Sequence, residues 1–189
     1  MVVMMAGLPG TGKSTLARAL AERLSGAVLD KDVIRAALFR PGHVEYSLEQ
    51  DDFCQEIMLQ TAAYLLAKDA RLYVLLDGRT FSRRYQREHV IEFCLKAGTP
   101  WAILECVCAE RTALERLAEA VAQNTHPAAN RTPELNREAR KTWEPIDNPK
   151  LVIDTDDNLD SCVDQALHYL MNRIGDARHR VRSTKTCHG

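Results

Sequence analysis

Gly7-Leu8-Pro9-Gly10-Thr11-Gly12-Lys13-Ser14 follows an apolar run at residues 1–6 and opens into Thr15-Leu16-Ala17-Arg18-Ala19-Leu20. The spacing is G-x-x-x-x-G-K-[ST], and an apolar strand before it and an amphipathic helix after it supply the context such a loop needs. Glycine at these positions lets backbone N–H groups turn inward around an anionic oxygen, and the start of the following helix adds partial positive charge. The stretch reads as a phosphate-binding loop. Gly7, Leu8, Pro9, Gly10, Thr11, Gly12 and Thr15 line it, Lys13 reaches the β- and γ-phosphates of a nucleoside triphosphate, and Ser14 offers its hydroxyl to Mg²⁺.

The rest of the chain is consistent with an enzyme-sized single domain. It has 189 residues, 46% hydrophobic and 27% charged, with a formal net charge of −1, so nothing in the composition demands a polyanionic partner. Residues 1–5 run straight into the loop without a basic flank and are read as a core strand rather than a signal peptide. No apolar run approaches the roughly 18 residues needed to span a bilayer, so the expectation is a cytoplasmic protein without membrane contact. The six cysteines, Cys54, Cys94, Cys106, Cys108, Cys162 and Cys187, form no C-x-x-C pair, and five of them sit inside apolar-periodic segments, where a reduced thiol behaves as a small core hydrophobe.

Helix and strand patterns alternate. Leu16, Ala17, Leu20, Ala21 and Leu24 make a helical stripe, and 27–29 read as a short strand that delivers Asp30-Lys31-Asp32. A long helix is predicted over 47–68, with Ser47 and Gln50 as a capping box. The continuous apolar run 72–76 reads as a strand buried on both faces, ending in Asp77-Gly78-Arg79-Thr80. Ser82 is expected to cap the next helix. A strand over 101–108 follows, then a helix striped by Ala113, Leu114, Leu117 and Val121. Thr132-Pro133-Glu134 starts another helix, 151–155 are the last strand, and 159–170 the last helix. About five strands alternating with helices predict an α/β three-layer sandwich around a parallel sheet. Its ligands bind beyond the C-terminal ends of the strands. The domain is placed at 1–172, with a lid at about 124–140 and a basic, flexible tail at 173–189.

A phosphate loop says only that a nucleotide binds; the acids and arginines decide the chemistry. Asp77, ending the buried strand, stands where a carboxylate holds Mg²⁺ directly or through water. Asp32 follows a different strand and can accept the proton of an attacking hydroxyl. Asp30 reads equally as a site residue or a helix cap. Arg35, one turn after Asp32, and Arg79, two residues after Asp77, are candidates for contacting an acceptor substrate. Arg131, Arg137 and Arg140 lie on the lid, where an arginine can close over the γ-phosphate and exclude water. Arg131 is the preferred one. Arg116, late in the preceding helix, is a candidate contact for adenine or phosphate.

These segments, with 126–131, resemble the small P-loop kinases. The resemblance covers nearly all of 1–172 and lies nearest the kinases grouped with the AAA-family ATPases, the polynucleotide 5′-kinases and the zeta-toxin kinases. It implies the strand order 2-3-1-4-5, ATP as donor, Asp32 as general base, Arg35 as acceptor contact and Arg131 as lid arginine. The expected activity is ATP- and Mg²⁺-dependent transfer of the γ-phosphate to a hydroxyl of a small molecule. Two alternatives stay open: a 5′-hydroxyl polynucleotide kinase, for which the balanced charge is a departure from the usual basic groove, and a regulatory switch that binds and hydrolyses ATP.

Overall fold

β1, Val2–Ala6, is buried along its whole length, because neighbours stand on both of its edges and helices on both of its faces. In the computed structural model, which describes residues 1–123, 132–147 and 149–185 (the last 11 as backbone), β1 is the middle of a five-stranded sheet. The order is β2-β3-β1-β4-β5, with β2 at Gly26–Asp30, β3 at Tyr73–Asp77, β4 at Trp101–Val107 and β5 at Leu151–Asp154. All pairings are parallel. This is the strand order and parallel α/β layering expected from the sequence.

The period of two along β1 sorts its side chains between two cores. Val3 and Met5 join Leu16, Ala17 and Leu20 of α1 (Lys13–Arg23) and Val163, Ala166 and Leu170 of α7 (Leu159–Lys185). Val2, Met4 and Ala6 face the other way, onto Met58, Leu59 and Ala62 of α3 (Leu48–Lys68) and Val90 and Cys94 of α4 (Arg84–Lys96). The short α2, Lys31–Leu38, follows β2 directly; α5, Glu110–Gln123, and α6, Pro133–Lys141, come after β4.

Three local expectations shift. Ser82 does not cap α4; Arg83 holds that position, while the Ser82 hydroxyl accepts from Thr80 Oγ1 at 3.0 Å and its carbonyl accepts from Glu144 N–H. Ser47 does cap α3, accepting from Gln50 N–H at 3.1 Å, but the Gln50 side chain does not reach back to Ser47. It accepts from Glu45 N–H and donates to the His43 carbonyl, tying the loop before α3 to the helix. The last helix does not stop near residue 170. α7 continues to Lys185 through a segment that carries four arginines and no proline, so nothing in it forces the helix to end. Among the described residues no helix is long and apolar enough to cross a membrane.

Candidate active site

The phosphate loop joins β1 to α1. Its shape depends on glycine where the chain adopts positive φ: Gly10 has φ 85°, and a Cβ there would lie 2.5 Å from the Ala113 carbonyl of α5. Lys13, only 2% exposed, folds back over the loop and donates to the carbonyls of Gly7 and Leu8, both at 2.8 Å. Thr11 Oγ1 donates to Leu8 O at 2.8 Å, and Gly7 N–H donates to Thr80 O at 3.0 Å, which couples the loop to the end of β3. Ser14 is half-buried and Thr15 exposed at the opening turn of α1.

A pocket of about 230 Å³ opens beside that turn, lined by Gly12, Thr15, Arg116, Thr155 and Asp157 among others. Arg116 donates to Thr155 Oγ1 at 3.1 Å and to the Thr155 carbonyl at 2.8 Å, and the same hydroxyl lies 3.1 Å from the Thr11 carbonyl. The arginine from α5 is thereby anchored next to the phosphate loop.

Asp30 and Asp77 are register partners at the C-terminal ends of β2 and β3. Asp30 is a helix cap: its carboxylate accepts from the N–H groups of Asp32 at 2.8 Å and Val33 at 3.4 Å. Burial, then the neighbouring Asp77 charge, raises its pKa above the ordinary aspartate value. Asp77 is 1% exposed, and its Oδ1 is buried with no hydrogen-bond partner among the described residues. An orphaned buried carboxylate oxygen is costly. It is the donor type that a hard divalent cation or its water shell takes, so the residues present fit Mg²⁺. Gly78, which follows with φ 80°, makes room for the pair: a Cβ there would lie 2.6 Å from Asp30 Oδ1.

On the other side of Lys13 a cleft of about 200 Å³ lies between α2, α3, the end of β3 and α6. Asp32, 5% exposed, sits on its wall in the first turn of α2. Arg35 donates to Asp32 Oδ1 at 3.0 Å and also pairs with Asp51 Oδ1 of α3. Lys31 bonds the same two oxygens, at 2.8 Å to Asp51 and 3.3 Å to Asp32. The result is a closed quartet in which each cation touches both carboxylates. Desolvation lowers the Lys31 pKa to about 8, against the opposing pull of Asp32. The Arg35 guanidinium also lies 5.2 Å from the ring centroid of Tyr46, in cation–π range. Arg79, 3% exposed, donates to Gln55 Oε1 at 2.9 Å and pairs with Asp52.

The structure thus brings Lys13, Asp32, Arg35 and Arg79 to one cleft, with Asp77 at the adjacent strand end. It leaves both arginines held by carboxylates of α3. Lys31, Asp51, Asp52 and Arg83 also belong to this region; the sequence places 44–53 as a whole beside the acceptor pocket but singles out none of these four. Asp51 and Asp52 look there like ordinary first-turn acids of a helix. Arg131 lies outside the described residues. Of the other lid arginines, Arg137 is exposed and pairs with Glu134 at 3.2 Å, while Arg140 lines a separate cavity of about 390 Å³ with Leu8 and Trp143. The described part of the lid is the regular helix α6, docked by Asn136. That residue is fully buried, and its Nδ2 donates to the Pro9 carbonyl at 2.6 Å. Among the described residues the cysteines are free thiols, and no group of three or more His, Cys, Asp or Glu side chains forms a metal cluster.

A family model described as "AAA domain" matches residues 2–145, which span the phosphate loop, the acid-bearing strand ends and α6. The chain belongs to the AAA-domain family. No curated protein matches it in sequence. Among solved structures, this AAA-domain chain superposes on a gluconokinase from Sinorhizobium meliloti with TM-score 0.66 and 17% identity, covering 95% of each chain. It superposes on Chaetomium thermophilum Kti12 in complex with ADP-AlF3 with TM-score 0.69 and 16% identity, over 92% of this chain and 99% of that one. Mycobacterium tuberculosis APS kinase in complex with AMPPNP and APS gives TM-score 0.64 and 20% identity, over 90% and 96%. At these identities the likeness establishes the fold.

Proposed function

We propose that this AAA-domain protein is an ATP- and Mg²⁺-dependent phosphotransferase acting on a hydroxyl of a small molecule. The observation that carries the reading is that Lys13 of the phosphate loop and Asp32 of α2 line the same cleft. A nucleotide-binding switch has no need of a carboxylate there. Two of the structural neighbours, a gluconokinase and an APS kinase, are named as kinases, one of them holding AMPPNP, which supports ATP as donor.

In this reading the loop backbone and Lys13 hold the β- and γ-phosphates, and Arg116 secures the nucleoside end. Mg²⁺, held through Ser14 and Asp77, supplies charge neutralisation on the phosphate oxygens. Asp32 orients the acceptor hydroxyl and takes its proton as the new O–P bond forms and the β–γ bridging bond breaks, with ADP as leaving group. Phosphoryl transfer asks chiefly for alignment. Lys31 and Arg35, both held by Asp51, provide it by pinning Asp32 Oδ1. α6 roofs the cleft, and Arg131 is assigned to the γ-phosphate as a lid arginine.

The test is transfer of labelled γ-phosphate from MgATP to a panel of sugars, sugar acids, nucleosides, aminoglycosides and 5′-hydroxyl oligonucleotides, with Asp32→Asn beside wild type. A product made by wild type and lost in the variant supports the assignment. Free phosphate alone, released equally by both proteins, would overturn it.

A further inference from the structure

The cleft carries four cations besides Lys13: Lys31, Arg35, Arg79 and Arg83. Three are held by carboxylates. Lys31 and Arg35 share Asp32 and Asp51, and Arg79 pairs with Asp52. Arg83 is different. It is half-buried on the cleft wall just ahead of α4, its backbone N–H is taken by Gln86 Oε1 at 3.3 Å, and among the described residues no carboxylate pairs with its guanidinium. Four cations against three carboxylates leave one positive charge in excess, and the pairing pattern locates it on Arg83.

A second observation points the same way. The Nε atoms of Arg35 and Arg79 are buried without an acceptor, although both side chains are at most 3% exposed. Each unpaired buried N–H is unfavourable. The wall is therefore rich in donors and short of acceptor atoms even after Asp32, Asp51 and Asp52 are counted. A neutral polyol, which brings as many donors as acceptors, does not correct that imbalance. A carboxylate, phosphate or sulfate group brings acceptors only, and a guanidinium fork matches its geometry in two parallel hydrogen bonds.

We infer that the acceptor carries an anionic group in addition to its reacting hydroxyl, and that Arg83 is the residue that seats this group. The inference rests on the cleft's being the acceptor site, and it moves the anion contact from Arg35 and Arg79, which hold α2 and the end of β3 to α3, to Arg83 just ahead of α4. Arg83 then acts in specificity: it selects among hydroxyl compounds by charge and has no part in nucleotide binding.

The test uses the full chain saturated with AMPPNP and Mg²⁺, so that the phosphate loop is filled. Sodium sulfate is titrated calorimetrically against sodium chloride of equal ionic strength, followed by matched pairs consisting of a sugar acid or sugar phosphate and its parent sugar. Sulfate is expected to bind at one site on the loaded protein, and Arg83→Gln to weaken it by at least about tenfold. Within each pair, any binding is expected to belong to the anionic member. AMPPNP affinity is measured alongside. AMPPNP bound normally with no sulfate site, or sulfate held equally by Arg83→Gln, would overturn the anion assignment alone. AMPPNP failing to bind wild type would overturn the nucleotide reading and this inference with it.

Discussion

The amide of Asn136 in α6 donates to the carbonyl of Pro9 in the phosphate loop at 2.6 Å, across 127 positions of sequence. The contact is fully buried, and Asn136 Oδ1 finds no partner among the described residues. It ties α6, which borders the cleft at Asp32, directly to the phosphate loop.

Replacing Asn136 by Ala leaves the Pro9 carbonyl without its donor. A lost buried hydrogen bond costs about 1–3 kcal/mol, which for a chain of this size lowers the melting temperature by roughly 2–12 °C. Asn136→Asp should be worse, because it sets a carboxylate against a carbonyl in a buried site. A thermal scan that ranks Asp above Ala would show that the contact does not hold α6 in place.

Lys13→Ala removes the ammonium that spans the Gly7 and Leu8 carbonyls and, in the proposed function, contacts the phosphates. AMPPNP affinity should fall by about 10- to 100-fold, the worth of a charge-assisted hydrogen-bonding group. Calorimetry reads this directly, and an affinity equal to wild type would remove Lys13 from the site.

Asp77→Asn takes a charge from a position where one carboxylate oxygen is buried and unpartnered. Stability without Mg²⁺ or nucleotide should hold or rise, while stabilisation by MgATP should shrink. The pKa of Asp30, raised in part by the Asp77 charge, should move down toward the ordinary aspartate value. Carboxyl NMR titration of Asp30 and paired melting curves with and without MgATP check all three.

Lys31 gives stability a pH signature. Its folded pKa of about 8 lies below the unfolded value of 10.5, so between these limits the unfolded chain holds a proton that the native one has released. Unfolding then takes up a proton, and this residue's contribution to stability rises with pH across that window and is flat below it. Denaturant unfolding at pH 7.5 and 10 should show wild type gaining relative to Lys31→Met. A parallel pH dependence of the two proteins would mean that the ammonium is not held in a desolvated site.

The fold was legible because its signals are local. The loop motif is eight consecutive residues, and the buried strand is an unbroken apolar run whose period-two sorting between two cores follows from strand geometry. The capping of α6 by Thr132, with Pro133 following, was equally readable. Ser82 misled because its hydroxyl had a nearer partner in Thr80, a competition that residue type does not reveal.

The sequence alone determined the parallel α/β order, the phosphate loop, the strand ends carrying Asp30 and Asp77, and the turn after β2 that carries Asp32, since each depends on neighbours a few positions away. Tertiary structure decided which of the charges are spent. Arg35 finds Asp51 at 16 positions and Arg79 finds Asp52 at 27, only after α3 packs across the sheet. Once those two guanidinium groups are committed, Arg83 remains as the cleft cation without a carboxylate among the described residues. An ion pair is fixed by distance in space and by the loss of competing water, and neither quantity is written along the chain.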